Sequence, residues 1–277
     1  MRMRSFLFVP GDRPERFPKA AASGADVIIL DLEDSVVPDR KPDARAAVAD
    51  YLAGARSVPA FVRVNPESSG ETHFDLAAIM PCKPDGIMLP KAEGARSIIR
   101  LHAMMGASTV PIFPIAAESP IGVMELGSLR TVADHLCAMT WGAEDLPAAM
   151  GAGGSRREDG SLLPPYETVR ALTLFGAHAA SIAAIETVYP RISDQEGLER
   201  VATAAAFDGF SGMLAIHPGQ IEAINRAFTP TPEQVDHARA IIQAFKDNPG
   251  QGAIKLNGQM IDIPHLKMAH SIVSRAD

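Results

Sequence analysis

Cysteine is nearly absent from this chain. Cys82 and Cys137 are the only two in 277 residues. They lie far apart and lack metal-ligand spacing, so the sequence encodes neither a disulfide framework nor a thiolate metal cage. Both read as ordinary reduced, buried thiols of a cytoplasmic protein. Basic excess is absent too: 26 Lys and Arg stand against 33 Asp and Glu, a net charge of −7. That balance excludes a duplex nucleic-acid binder, which needs cations to displace counterions. No apolar run approaches the roughly 18 residues of a membrane span. The Ser5-Phe-Leu-Phe-Val9 stretch is too short for a signal-peptide core and is cut off by Pro10-Gly11. No dinucleotide-binding glycine fingerprint or Walker loop follows it, which counts against a nucleotide-binding fold. No internal repeat stands out.

What is present is alternation. With 47% apolar residues the chain can bury a large core. Short apolar runs predict strands at Phe6–Val9, Val27–Leu30, Ala60–Val64, Gly86–Leu89, Pro111–Ala116, Leu136–Trp141, Ala184–Thr187 and Gly212–Ala215. Several are continuously apolar, as strands buried on both faces are. Helical segments separate them: Pro14–Ala22, Pro42–Ala53, Phe74–Met80, Ala95–Met105, Pro120–Val132, Pro165–Ala180, Asp194–Phe207 and Pro218–Ala227. Five of these carry a proline near the start, where it is tolerated. Eight strand–helix units are the count of a TIM (β/α)8 barrel, with a doubly wound open sheet as runner-up. The expected domains are a barrel over residues 1–228 and a lid over 229–277. The lid predicts a helix near Glu233–Lys246, a hairpin within Gly250–Asp262 and a final helix from Pro264. Gly151–Gly160 predicts a Gly/Arg-rich loop on the active face, able to close over a substrate or simply solvated.

Acidic residues mark the strand ends. Glu118 follows one apolar run and Asp145 another. If both runs are parallel strands, both carboxylates emerge on one rim and can hold a divalent cation such as Mg²⁺. Asp31-Leu-Glu33-Asp34 follows the second strand. An Asp at a strand end is commonly a helix cap, but three acidic clusters on one rim repel each other unless a cation neutralises them. Arg63 and Lys91 add two positive charges at further strand ends. Together they describe a site for a small carboxylate substrate beside a metal. His217 lacks a catalytic partner in view and reads as ordering its loop, and Trp141 reads as barrel packing.

At these residues the chain resembles the citrate lyase β-subunit-like branch of the HpcH/HpaI aldolase superfamily, which includes malyl-CoA and citramalyl-CoA lyases. The matching stretches are Arg4–Arg16, Asp31–Val36, Val62–Asn65, Leu89–Lys91, Glu118–Gly122, Gly142–Leu146, Ala215–Ile221 and Leu256–Asp262. They are ordered and span nearly the whole chain. The resemblance implies a TIM barrel with a C-terminal extension, assembled as a homotrimer or hexamer. It implies that Glu118 and Asp145 ligate Mg²⁺, with Glu33 and Asp34 fixing metal-bound waters. Arg63 would hold the substrate carboxylate or stabilise the thioester enolate, and Glu118 and Lys91 would line the substrate site. Asp262 would be the acid/base group, delivered by the lid of a neighbouring subunit. Arg13, Arg16 and Lys19 would face the CoA phosphates.

The implied activity is cleavage, or formation, of a 3-hydroxyacyl-CoA such as malyl-CoA or citramalyl-CoA, giving acetyl-CoA and a 2-oxo acid. Three alternatives stay open: a citryl thioester lyase subunit acting on acyl-carrier protein, a 2-oxo acid aldolase using a free substrate, and a non-catalytic barrel that binds acyl thioesters. The joint presence of Glu118, Asp145, Arg63 and Asp262 favours the enzyme.

Overall fold

A computed structural model describes residues 2–276. Eight strands form the barrel: β1 (Ser5–Pro10), β2 (Val27–Asp31), β3 (Ala60–Arg63), β4 (Gly86–Leu89), β5 (Ile112–Ala117), β6 (Ala138–Trp141), β7 (Ala183–Glu186) and β8 (Gly212–Ala215). All neighbours pair in parallel, and β8 pairs with β1, closing a TIM barrel. The doubly wound alternative falls on that last pairing, since an open sheet has two free edges. Burial of both strand faces explains the continuous apolar runs: β2, β4, β5, β6 and β8 expose no residue.

Aromatic rings fill the interior. Phe6 sits 6.0 Å from Phe61 and 5.1 Å from Phe113, edge-on and tilted, geometries that rings prefer over face-to-face stacking. Val27, Ile29, Met88, Ile115, Ile185 and Leu214 complete that cluster. The helices around it are α1 (Phe17–Ala21), α2 (Lys41–Ala53), α3 (Thr72–Ile79), α4 (Ala95–Met104), α5 (Pro120–Glu125), α6 (Asp145–Met150), α7 (Pro164–Ala179), α8 (Gln195–Asp208) and α9 (Ile221–Ala227).

Two helical expectations need correction. Residues 120–132 are not one α-helix: α5 stops at Glu125 and a 3-10 run, Leu126–His135, follows, broken at Val132. Gly127, Thr131, Val132 and Asp134 are weak helix formers, which is the physical reason. Conversely, α6 was not expected. Its proline, Pro147, stands in the first turn, where the lost N–H had no helical partner, and Gly151, at φ 68°, terminates it.

The chain divides into two compact units, one ending at Asn225 and one starting at Arg226. The second contains α10 (Pro232–Asp247), β9 (Ala253–Leu256), β10 (Gln259–Asp262) and α11 (Ile263–Ala276). Thr231 and Gln234 form a capping box at the start of α10. The antiparallel β9–β10 pair turns at Asn257-Gly258, both at positive φ, the residues a two-residue hairpin turn demands. Ile254 and Ile261, paired across the hairpin, join Ala238, Ile241, Phe245 and Ala269 in a small core.

Candidate active site

The site is built on the C-terminal ends of β2 to β6. Asp31 and Arg63 are register partners on β2 and β3. The guanidinium binds both carboxylate oxygens, Nε to Oδ1 and Nη2 to Oδ2, each at 2.7 Å. Asp31 is buried and also accepts from the Glu33 and Ser35 backbone N–H groups. Burial alone would raise its pKa, but Arg63 and these donors hold it below the usual carboxylate range. Arg63 Nη1 lies 2.9 Å from Glu33 Oε2. That oxygen has no hydrogen bond, so the contact is an ion pair outside hydrogen-bond geometry. Arg63 is therefore wedged between two carboxylates, with its guanidinium 4.8 Å above the Phe8 ring. Its Nε and Nη2 donate to Asp31, while Nη1 makes no hydrogen bond to Glu33.

Lys91 is the second cation, and its ammonium stands among three carboxylates. Its Nζ lies 2.6 Å from Glu33 Oε1, and 3.8 Å from both Asp34 and Asp145. Its backbone N–H donates to Glu118 Oε1. Lys91 adopts φ 50°, a left-handed conformation uncommon outside glycine, and such conformations persist where the surroundings impose them. Burial alone would lower the Lys91 pKa, but Glu33 and its acidic neighbours raise it, so the ammonium stays charged.

Glu118 directly follows β5 and is buried. Ser119 then caps α5, its hydroxyl accepting from Gly122 N–H at 3.0 Å. Across from Glu118 stands Gly142, the residue after β6. A Cβ there would come within 2.5 Å of Glu118 Cβ and 2.8 Å of its Oε2. Glycine is required because the carboxylate occupies the space a side chain would need. Asp145 opens α6 and keeps a side chain 37% exposed. Burial, then the charges of Asp145 and Glu33, push the Glu118 carboxyl up to about 8.

That shift tests the fit of a divalent cation. Asp31, Glu33, Asp34, Glu118 and Asp145 bring five carboxyl groups together against two protein cations, Arg63 and Lys91. Pairing Asp31 with Arg63 and Glu33 with Lys91 leaves Asp34, Glu118 and Asp145 as the negative surplus, and Glu118 and Asp145 are hard oxygen donors on the wall of both cavities. Among the described residues no three His, Cys, Asp or Glu side chains form a closed metal cage. Mg²⁺ does not need one, since it commonly binds one or two carboxylates and completes its coordination with water and substrate. The residues present fit it. A cavity of about 670 Å³ opens beside Lys91, Glu118 and Asp145. A second, of about 70 Å³, reaches from Glu118 and Asp145 to Arg63 and Phe8.

Supporting residues that sequence reasoning missed lie behind the loop after β2. Lys41 Nζ binds the Leu32 and Glu33 carbonyls at 2.8 and 3.1 Å and Asn65 Oδ1 at 2.6 Å. Asn65 donates to Leu32 O and to Asp75, and Arg45 binds Asp75 in turn. This chain of buried and half-buried polar groups fixes where Glu33 stands. Asn65 sat inside a recognised motif, but nothing local announced Lys41.

Other expected residues lie elsewhere. Arg13, Arg16 and Lys19 follow β1 and are exposed. Neither cavity is lined by them. Asp262 ends β10 in the second unit, where its Oδ1 lies 2.6 Å from His265 Nδ1. His217 caps the 3-10 turn Pro218–Gln220, and the buried Trp141 donates to Glu186 at 2.8 Å. Arg156 is no solvated charge: it is partly buried, bonded to the Gly160 and Val188 carbonyls, and stacked 5.6 Å from Tyr189. Cys82 and Cys137 are unpaired, and burial pushes the Cys137 thiol up to about 12, leaving it inert.

A family model described as HpcH/HpaI aldolase/citrate lyase matches residues 4–218. A citrate lyase subunit beta-like protein of Mycobacterium tuberculosis is 39% identical over 272 residues, covering 98% of this chain and 94% of that protein. The mitochondrial citramalyl-CoA lyase of Mus musculus is 32% identical over 295 residues, covering 99% and 86%. Among solved structures, the protein CitE from Mycobacterium tuberculosis, in complex with magnesium, acetoacetate and coenzyme A, matches at a TM-score of 0.86. It is 36% identical, and the match covers 99% of this chain and 98% of that one.

Proposed function

Since the chain belongs to the HpcH/HpaI aldolase/citrate lyase family, we propose that it is a Mg²⁺-dependent carbon–carbon lyase. Its substrate would be a 3-hydroxyacyl-CoA of the malyl-CoA or citramalyl-CoA type, cleaved to acetyl-CoA and a 2-oxo acid or formed from them. The observation that carries this reading is the buried Glu118, pushed up to about 8 beside Asp145 on the wall of a substrate-sized cavity. A carboxylate buried at such a cost, beside a second carboxylate, calls for a cation.

Glu118 and Asp145 would hold the metal, which when bound polarises the hydroxyl or carbonyl oxygen of the substrate. The rest belongs to the chain itself. Arg63 is fixed by Asp31 at the small cavity, so a guanidinium already stands where the oxygen of the thioester enolate or the substrate carboxylate would lie. Preorganised charge of this kind is worth about 3 kcal/mol in comparable sites. Lys91 keeps a partly exposed ammonium on the larger cavity and can turn a donor toward a substrate oxygen. Glu33 orients both cations, and Asp34 stands at the exposed edge. Asp262 would exchange the proton on the carbon next to the thioester.

The residue 229–277 extension would act as a lid completing a neighbouring subunit's site in a homotrimer or hexamer. Arg13, Arg16 and Lys19 would meet the CoA phosphates. No helix among the described residues is long and apolar enough to cross a membrane.

The test is release of 2-oxo acid from a panel of 3-hydroxyacyl-CoA esters with Mg²⁺, coupled to a reductase. Glyoxylate, pyruvate or oxaloacetate in the product names the substrate. Turnover only of carrier-protein thioesters assigns a citrate lyase subunit, and turnover only of free hydroxy acids assigns an aldolase. Tight thioester binding with no turnover assigns a binding protein.

A further inference from the structure

Asp262 and His265 form a carboxylate–imidazole pair within the second unit. Asp262 is the last residue of β10, and His265 lies in the first turn of α11. His265 Nδ1 stands 2.6 Å from Asp262 Oδ1 and 3.3 Å from the Asp262 backbone nitrogen. The amide N–H can only donate and an ionised carboxylate can only accept, so Nδ1 cannot satisfy both with one arrangement. The 2.6 Å contact matches a short, charge-assisted bond in which a single proton joins oxygen and nitrogen. Across the hairpin Asp262 pairs with Ala253, so the opposite strand offers it only a methyl group. Lys255, the charged residue of β9, pairs with Met260 instead.

A helix cap would account for part of this arrangement. Asp262 precedes α11 and His265 reaches back to its N–H, half of a capping box. Capping does not account for the carboxylate–imidazole contact, which adds a titratable partner where glutamine would serve a cap as well. Nor does burial, since the two side chains are 38% and 42% exposed, and exposed ion pairs contribute little to stability.

We propose that His265 is the positioning residue for Asp262. It holds Oδ1, turns the carboxylate toward the carbon next to the thioester, and keeps it ionised to act as base. The inference rests on the lyase reading given above. In the exchange direction the Asp262 carboxylate takes a proton from the acetyl methyl. The electron pair of that C–H bond becomes the enolate, and the proton rests on the Asp262 carboxyl, which stays hydrogen-bonded to His265. Exchange of that proton with solvent and return of a deuteron to the carbon restore the ionised carboxylate. The hydrogen bond from His265 also holds the Asp262 carboxyl below the usual carboxylate range, the direction a resting base needs.

The experiment is deuterium wash-in to the methyl of acetyl-CoA, with the full chain in D₂O and Mg²⁺, read by mass spectrometry. His265→Ala should lower kcat for exchange about 10- to 100-fold, a positioning-sized share of an acid/base effect. KM for acetyl-CoA and the thermal midpoint should hardly move. His265→Gln, which retains the reach of a capping box, should be nearly as slow as the alanine variant. His265→Asn, whose amide nitrogen sits near the place of Nδ1, should recover much of the rate. In an Asp262→Asn background, adding His265→Ala should cost nothing further, because the two act as one unit. Wild-type exchange with an indifferent His265→Ala overturns the inference alone, as does full activity in the glutamine variant. A wild-type chain that exchanges no deuterium and releases no 2-oxo acid overturns the lyase reading and the inference with it.

Discussion

Asp31 and Arg63 face each other across β2 and β3 and are joined by two 2.7 Å hydrogen bonds. This is a buried pair whose value lies in its completeness. Removing one member strands the other, which costs about 3–5 kcal/mol in comparable sites. Asp31→Asn should therefore destabilise the protein by about that amount, measured by urea denaturation. Arg63→Met should cost a similar amount, and the double variant clearly less than the sum. Additive losses would show that the pair is not one unit. The pH sign follows from Asp31's depressed pKa. Its stabilisation is present above the ordinary carboxylate range and is lost as pH falls through its lower folded value.

Glu118 carries the opposite sign. Its folded pKa, about 8, lies above the ordinary value near 4.5. The folded state binds the extra proton, so this contribution is fully present at low pH and fades as pH rises from 4.5 toward 8 and beyond. In EDTA the thermal midpoint should fall between pH 6 and pH 8.5. Mg²⁺ should restore more at pH 8.5 than at pH 6, because binding must expel that proton. Glu118→Gln should flatten the fall and abolish the Mg²⁺ response. Calorimetry at pH 7 should register close to one proton released per cation bound, and no release would contradict the assignment of Glu118 as ligand.

Gly142 supplies a test that leaves every carboxylate in place. The added methyl of Gly142→Ala would press on Glu118 Cβ and Oε2. Displacing a ligating carboxylate through its neighbour typically costs about 10- to 100-fold in metal affinity. Mn²⁺ binding followed by electron paramagnetic resonance should weaken by that factor while the far-ultraviolet circular dichroism stays unchanged. Unaltered binding would mean that Glu118 moves freely, against its burial.

The strand ends were legible because parallel barrel strands are buried on both faces, so the apolar run stops where the strand stops and the next polar residue marks the rim. Glu118, the first residue after β5, could be placed on the rim for that reason, and Asp145 on the turn a few residues beyond β6. What these residues touch was not legible. The capture of Arg63 by Asp31 depends on register between strands 32 residues apart, and the sequence carries no sign of register. Lys91 drew notice as a charge, yet part of its role is a backbone N–H exposed by a left-handed φ that no local residue type predicts. Gly142 lay in a matching motif, but its reason, the space taken by Glu118, is tertiary. For the Gly151–Gly160 loop both closure and simple solvation stayed open, and only the fold reveals the partial burial of Arg156.

Asp145 and Asp262 test the lid across subunits. Asp145 is partly exposed at the head of α6, so Asp145→Asn should leave stability within about 0.5 kcal/mol while removing metal-dependent lyase activity. Asp262→Asn should likewise fold and bind substrate but fail to exchange protons. Neither variant alone has a complete site. If the lid serves a neighbour, oligomers mixed at random from the two variants hold some sites that combine an intact barrel with an intact lid. In a cyclic assembly that fraction is about a quarter, so activity should return to about a quarter of the wild-type level after denaturation and joint refolding. A lid acting within its own chain gives none, because each chain carries one defect. Inactive mixed oligomers, verified by native mass spectrometry, would place Asp262 over its own barrel.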